Sequence, residues 1–78
     1  MNFMNDERLT AAQVRGLDVG TRVRVYHYDR HGELVYTVCI VVQSYKKKTL
    51  KVFSLFGYPP EYKPIAKESD RRWYTLDR

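Results

Sequence analysis

The 78 residues contain a single cysteine, Cys39, so no internal disulfide can staple the fold. No stretch approaches the ~18 consecutive apolar residues that a membrane helix needs. The opening residues, MNFMNDERL, lack the charged-then-apolar order of a signal peptide. These absences point to a soluble cytoplasmic domain with a free thiol. Signatures of catalysis are missing too. There is no glycine-rich phosphate loop, no G-x-S-x-G elbow and no Cys/His zinc spacing. Acidic residues stand singly, so no carboxylate dyad is suggested. Proline is sparse (3 residues) and confined to positions 59, 60 and 64, where it cannot donate ladder hydrogen bonds.

What is present bounds the fold. A chain of 9.3 kDa makes one small domain. Surface scaling lets it bury about 63% of its unfolded surface, enough for one modest core. A 44% hydrophobic content excludes a wholly disordered chain. Residues 1–8 show no period and read as a flexible arm, leaving 9–78 as the folded unit. Thr10 and Gln13 have capping-box spacing, and Gly16 is a natural stop, so one or two helical turns are predicted between them. A helix so short needs Leu9, Val14 and Leu17 to pack on something else.

Everything beyond residue 20 reads as β. In 21–29, TRVRVYHYD, one face carries Val23, Val25 and His27 and the other Arg22, Arg24, Tyr26 and Tyr28. Residues 29–32 supply a turn, with Gly32 free for a positive φ. LVYTVCIVVQSY, 34–45, is rich in β-branched residues and apolar on both faces at its centre, which predicts a long central strand. Lys46, Lys47 and Lys48 form a charged turn. In 49–56, Leu50 and Val52 face one way, Lys51 and Phe53 the other. Residues 57–64 break the pattern, 65–67 make a short strand, 69–71 a turn, and 72–76 (RWYTL) a final edge strand.

Four or five short antiparallel strands must curl to bury one face. The expectation is a mostly β fold: a small SH3-like or OB-like barrel with the helical turn plugging one end. The pattern Val19-Gly20-x-x-Val23-x-Val25 resembles the first strand of many SH3-like barrels. That resemblance implies a fold and no function. The alternative is an open antiparallel sheet with the helix on one face.

No enzyme is expected, nor any metal or cofactor. His27, Asp29 and His31 cluster, but a strand end and a polar turn account for them. Cys39 lies mid-run among aliphatics, without the cationic, exposed setting of a reactive thiol. So small a domain also struggles to enclose a deep pocket.

Charge favours binding instead. Residues 1–40 hold five bases and five acids, whereas 41–78 hold nine bases and four acids, so the whole net charge of +5 falls in the second half. It gathers at Lys46, Lys47, Lys48 and Lys51, and at Arg71 and Arg72. Such clusters attract polyanions by counterion release, although lysines also simply protect sheet edges. Arg22, Arg24, Tyr26 and Tyr28 combine guanidinium with aromatic rings, which suits phosphates and stacked bases and equally suits protein hot spots. Tyr58, Tyr62 and Trp73 form a second aromatic set, read as a latch over the barrel mouth or as a contact surface. The leading expectation is a binding module for nucleic acid, DNA or RNA. The other is a regulator or inhibitor docking on a larger protein, a role that virus-encoded modulators of host machinery also fill. An exposed final strand could also pair with its twin in a homodimer.

Overall fold

A computed structural model describes residues 7–53, 59–67 and 71–77. The chain runs α1 (Ala11–Arg15), β1 (Arg22–Tyr28), β2 (Leu34–Ser44), β3 (Lys47–Val52), β4 (Tyr62–Lys63) and β5 (Arg72–Leu76). The strands form one antiparallel sheet in the order β4-β3-β2-β1-β5.

Local chemistry sets each element. The capping box forms as its spacing predicts: Gln13 N–H donates to Thr10 Oγ1 (3.1 Å) and Thr10 N–H to Gln13 Oε1 (2.8 Å). A five-residue helix has no stability of its own, so burial of Ala11 and Val14 against the sheet holds it. At the β1–β2 turn, Gly32 takes φ 79°, which only glycine adopts without strain. Asp29 Oδ1 accepts from His31 N–H (2.8 Å) and Glu33 N–H (2.9 Å). This carboxylate therefore builds the turn.

Strand alternation sorts the sheet into two faces. Val23 lies opposite Cys39, Cys39 opposite Val52, Val41 opposite Leu50 and Val25 opposite Tyr74. These side chains meet Ala11, Val14 and Ile65 in the core, with Leu9, Leu17 and Leu76 packed against it. Full burial of each such side chain contributes about 1.5–3 kcal/mol. β2 is the long central strand that its β-branched run predicts.

The barrel does not close. β4 and β5 are the two edges of the sheet and do not pair with each other. The physical reason lies at Pro64, which has no N–H to continue the β4 ladder after two residues. Ile65 then turns into the core, so the short strand expected at 65–67 does not form. Side chains link this segment to β5 instead. Arg72 Nη2 donates to the Pro64 carbonyl (2.8 Å), and the Tyr74 hydroxyl accepts from Ala66 N–H and donates to Ala66 O, both at 3.2 Å. The arrangement is the open sheet with its helix on one face.

Two further expectations shift. The β2–β3 connection is the two-residue turn Tyr45-Lys46, because Ser44 pairs with Lys47 and Gln43 with Lys48. Lys47 and Lys48 thus belong to β3 rather than to the turn. At the outer edge of β5, Leu9 N–H donates to Tyr74 O (2.8 Å). Leu9 thus covers the outer edge of β5 at Tyr74. Of the expected arm, 1–6 lie outside the described residues, as do most of the 69–71 turn and the end of the third strand.

Candidate functional site

The face of the sheet turned away from α1 is the candidate site. Residues directly opposite one another across the ladders share a face and form rows across the strands. Starting from the β1–β2 turn, the first row is Tyr28–Leu34 and the second Trp73–Tyr26–Tyr36. The third is Thr75–Arg24–Val38, and the fourth Arg22–Ile40–Lys51–Tyr62. Successive rows lie ~6.7 Å apart, twice the rise per strand residue. Aromatic rings thus fill one half of the face, and cations are concentrated in the other.

The aromatic half is one packed layer. The Tyr26 ring stacks on Trp73 (centroids 5.4 Å, planes 8° apart) and tilts against Tyr36 at 5.3 Å. Tyr28 meets Trp73 edge-on at 6.3 Å. The Arg8 guanidinium lies 4.0 Å from the centre of the Trp73 ring, so Trp73 is only 9% exposed. Tyr28, Leu34 and Tyr36 remain about half exposed, at 48%, 47% and 49%. Phe53, whose N–H donates to Val38 O (2.9 Å), extends the β3 register and is also exposed. Of the exposed large apolar side chains among the described residues, all but Val19 and Tyr45 belong to this face.

Charge on the face is arranged around Asp77. Arg24 Nε donates to Asp77 Oδ1 at 2.8 Å, and Arg22 Nε lies 3.8 Å from Oδ2. Arg24 also reaches the Tyr26 hydroxyl (3.4 Å) and covers the Tyr36 ring at 4.8 Å. The Asp77 carboxylate and then the Tyr26 hydroxyl hold the Arg24 guanidinium even more firmly protonated than usual. Arg24 is thus a fixed strut under the aromatic rings. Arg22, 56% exposed, and Lys51 present their charges outward.

Arg22, Arg24, Tyr26, Tyr28, Lys51, Tyr62 and Trp73, all flagged by the sequence, therefore share one face. Trp73 is part of the aromatic layer, covered by Arg8, and latches no barrel mouth, and Tyr62 is exposed at the β4 edge. Lys46 stands at the hairpin tip and Lys47 opposite Ser44, whereas Lys48 turns to the core side and donates to Leu17 O at 2.6 Å. Arg72 also belongs to the core side, its guanidinium 5.3 Å from the Tyr74 ring, so it is apart from the aromatic layer. Arg71 sits in the turn before β5, and Tyr58 lies outside the described residues.

Sequence reasoning missed Arg8, Leu34, Tyr36 and Tyr45. Alternation along β2 puts Leu34 and Tyr36 on one face, and the β1–β2 turn length then sets Tyr36 opposite Tyr26, so that signal was present. Nothing in the sequence marks Arg8 as the cover of Trp73. Tyr45 stands 91% exposed at the hairpin tip with φ 55°, in the left-handed region.

The reactive groups are engaged elsewhere. Cys39 is fully buried in the core, and burial pushes its thiol pKa up, away from the thiolate. Asp29 serves its turn. Among the described residues no three His, Cys, Asp or Glu side chains converge in a way that could hold a metal, and no helix is long and apolar enough to cross a membrane. No protein-family model, curated protein or solved structure matches the chain.

Proposed function

We propose that the chain is a non-catalytic binding module that takes single-stranded nucleic acid on its open sheet face. The observation carrying this reading is the row pattern itself: half-exposed Tyr28 and Tyr36 beside a stacked Tyr26–Trp73 pair, with Arg22 and Lys51 two rows beyond Tyr36 on the same face. The half-exposed rings of Tyr28 and Tyr36 are the ones left to stack on unpaired bases, and the cations further along the face meet the backbone phosphates. Asp77 is the one carboxylate among the described residues of this face, and both of its oxygens already face arginines. A duplex hides its base faces, so the platform favours single strands over duplex.

The test is fluorescence anisotropy with labelled single-stranded and duplex DNA and RNA across a salt series. Single strands should bind with a log–log salt slope of about −0.7 per phosphate contacted. Tyr36→Ala should remove roughly 1–3 kcal/mol of binding, the worth of one stacked base. Absence of binding to any strand at low salt overturns the reading.

Leu34 and Phe53 favour a second reading, docking on a larger protein. Leu34 offers no stacking ring, and apolar groups beside Tyr, Trp and Arg are the makings of a protein hot spot. Recovery of one stoichiometric partner from nuclease-treated lysate by the native protein but not by Leu34→Glu supports this second reading.

A further inference from the structure

Away from the aromatic layer, an open cleft of about 640 Å³ lies between α1, the β2–β3 hairpin and the segment leaving β4. Among the described residues, four cations line it, Arg15, Lys46, Lys47 and Lys48, and no carboxylate does. We infer that this cleft is a phosphate-binding site.

The cleft holds two of its cations in place without neutralising them. Arg15 Nη2 donates to Ile65 O and Lys48 Nζ to Leu17 O, each at 2.6 Å. A carbonyl fixes a cation in place without neutralising it, and each group keeps further N–H donors to offer. The ion pairs among the described residues use Arg22, Arg24 and Lys63, and none of the four cleft cations. Among the described residues, Lys46 has the Tyr45 ring, 5.7 Å away, and no ion pair. Four like charges around one cavity repel each other, and an oxyanion of more than one charge relieves that repulsion at a single point. Gln43 and Tyr62 add neutral polar groups to the same wall. The guanidinium suits a phosphate's paired oxygens, and the lysines act as point charges. Tyr62 belongs both to the cleft and to the basic row of the sheet face, so a strand lying on that face can lead a phosphate into the cleft. The inference does not require that reading, because a free phosphate compound fits the same chemistry.

The test is a titration with pyrophosphate at constant ionic strength, followed by amide shifts of the ¹⁵N-labelled protein. Saturable shifts are expected at Gln43, Lys47, Lys48 and Ile65, and absent from Tyr28 and Tyr36. Lys46 and Lys47 stand exposed at the hairpin, so Lys46→Gln with Lys47→Gln should leave the fold intact and weaken pyrophosphate roughly tenfold. Shifts that never saturate, or that equal those with chloride and persist in the double variant, overturn the site. An unphosphorylated oligonucleotide then separates the sources: displacement of pyrophosphate assigns a backbone phosphate, and retention assigns a free one. Pyrophosphate binding without any oligonucleotide binding would remove the proposed function and keep the cleft. The reverse result would remove the cleft alone.

Discussion

Tyr26 lies flat against Trp73, their planes 8° apart and their centroids 5.4 Å apart, on neighbouring strands β1 and β5. Stacking of this kind adds about 0.5–1.5 kcal/mol beyond the area buried. A double-mutant cycle with Tyr26→Leu and Trp73→Leu, read by urea denaturation, should therefore return a coupling of about 1 kcal/mol. A coupling near zero would mean that the rings are neighbours without mutual support. Trp73 is the only tryptophan, so its fluorescence reports this layer directly and should change in Tyr26→Leu.

The Thr75 hydroxyl is buried with no hydrogen-bond partner among the described residues, and the side chain is 2% exposed. An unsatisfied buried hydroxyl is a cost to the folded state. Thr75→Val keeps the shape and removes the polar atom. It should raise stability by about 1 kcal/mol, read as a higher denaturation midpoint with an unchanged slope. A loss of stability would show that the hydroxyl is satisfied in solution.

Tyr45 holds a left-handed backbone at φ 55° while its side chain makes no core contact, 91% of it being exposed. Glycine adopts this conformation freely, and an ordinary residue does so at about 1–2 kcal/mol. Tyr45→Gly should therefore leave stability unchanged or raise it by up to about 1 kcal/mol, once the entropy of the unfolded glycine is set against the relieved strain. If the same variant weakens oligonucleotide binding, the tip tyrosine is a contact residue whose strain is tolerated for function.

Much of this was legible in the chain. Period-two alternation in 22–28 sorted Val23 and Val25 from Arg22, Arg24, Tyr26 and Tyr28, and the structure keeps that division. The capping box at Thr10 and Gln13 likewise depends on residues three apart, where local spacing is decisive. Closure of the sheet was not legible. It depends on whether β4 can reach β5, and Pro64 stops β4 after two residues through an effect that plays out between distant strands. Arg72 illustrates the same limit. Its position in a basic run suggested a contact surface, but alternation within β5 turns it toward Tyr74 and Pro64.

Cys39 ties the stability of the core to pH. Its thiol is wholly buried, and desolvation raises its pKa above the ordinary value of about 8.5. The folded protein therefore keeps the thiol proton at pH values where the unfolded chain loses it. The sign follows from linkage. Stability from this group is fully present below about pH 8.5 and is lost as pH climbs through the raised folded value. Chemical denaturation at pH 7 and at pH 9.5 should show a drop for the native protein. Tyrosines and lysines also titrate at high pH, so Cys39→Val isolates the effect: its drop over the same interval should be smaller. An aromatic disulfide reagent at pH 8 should label Cys39 only at the rate of unfolding, with full labelling in denaturant. Rapid labelling of the folded protein, or equal pH dependence in Cys39→Val, would place the thiol at an accessible surface and refute its role as a core side chain.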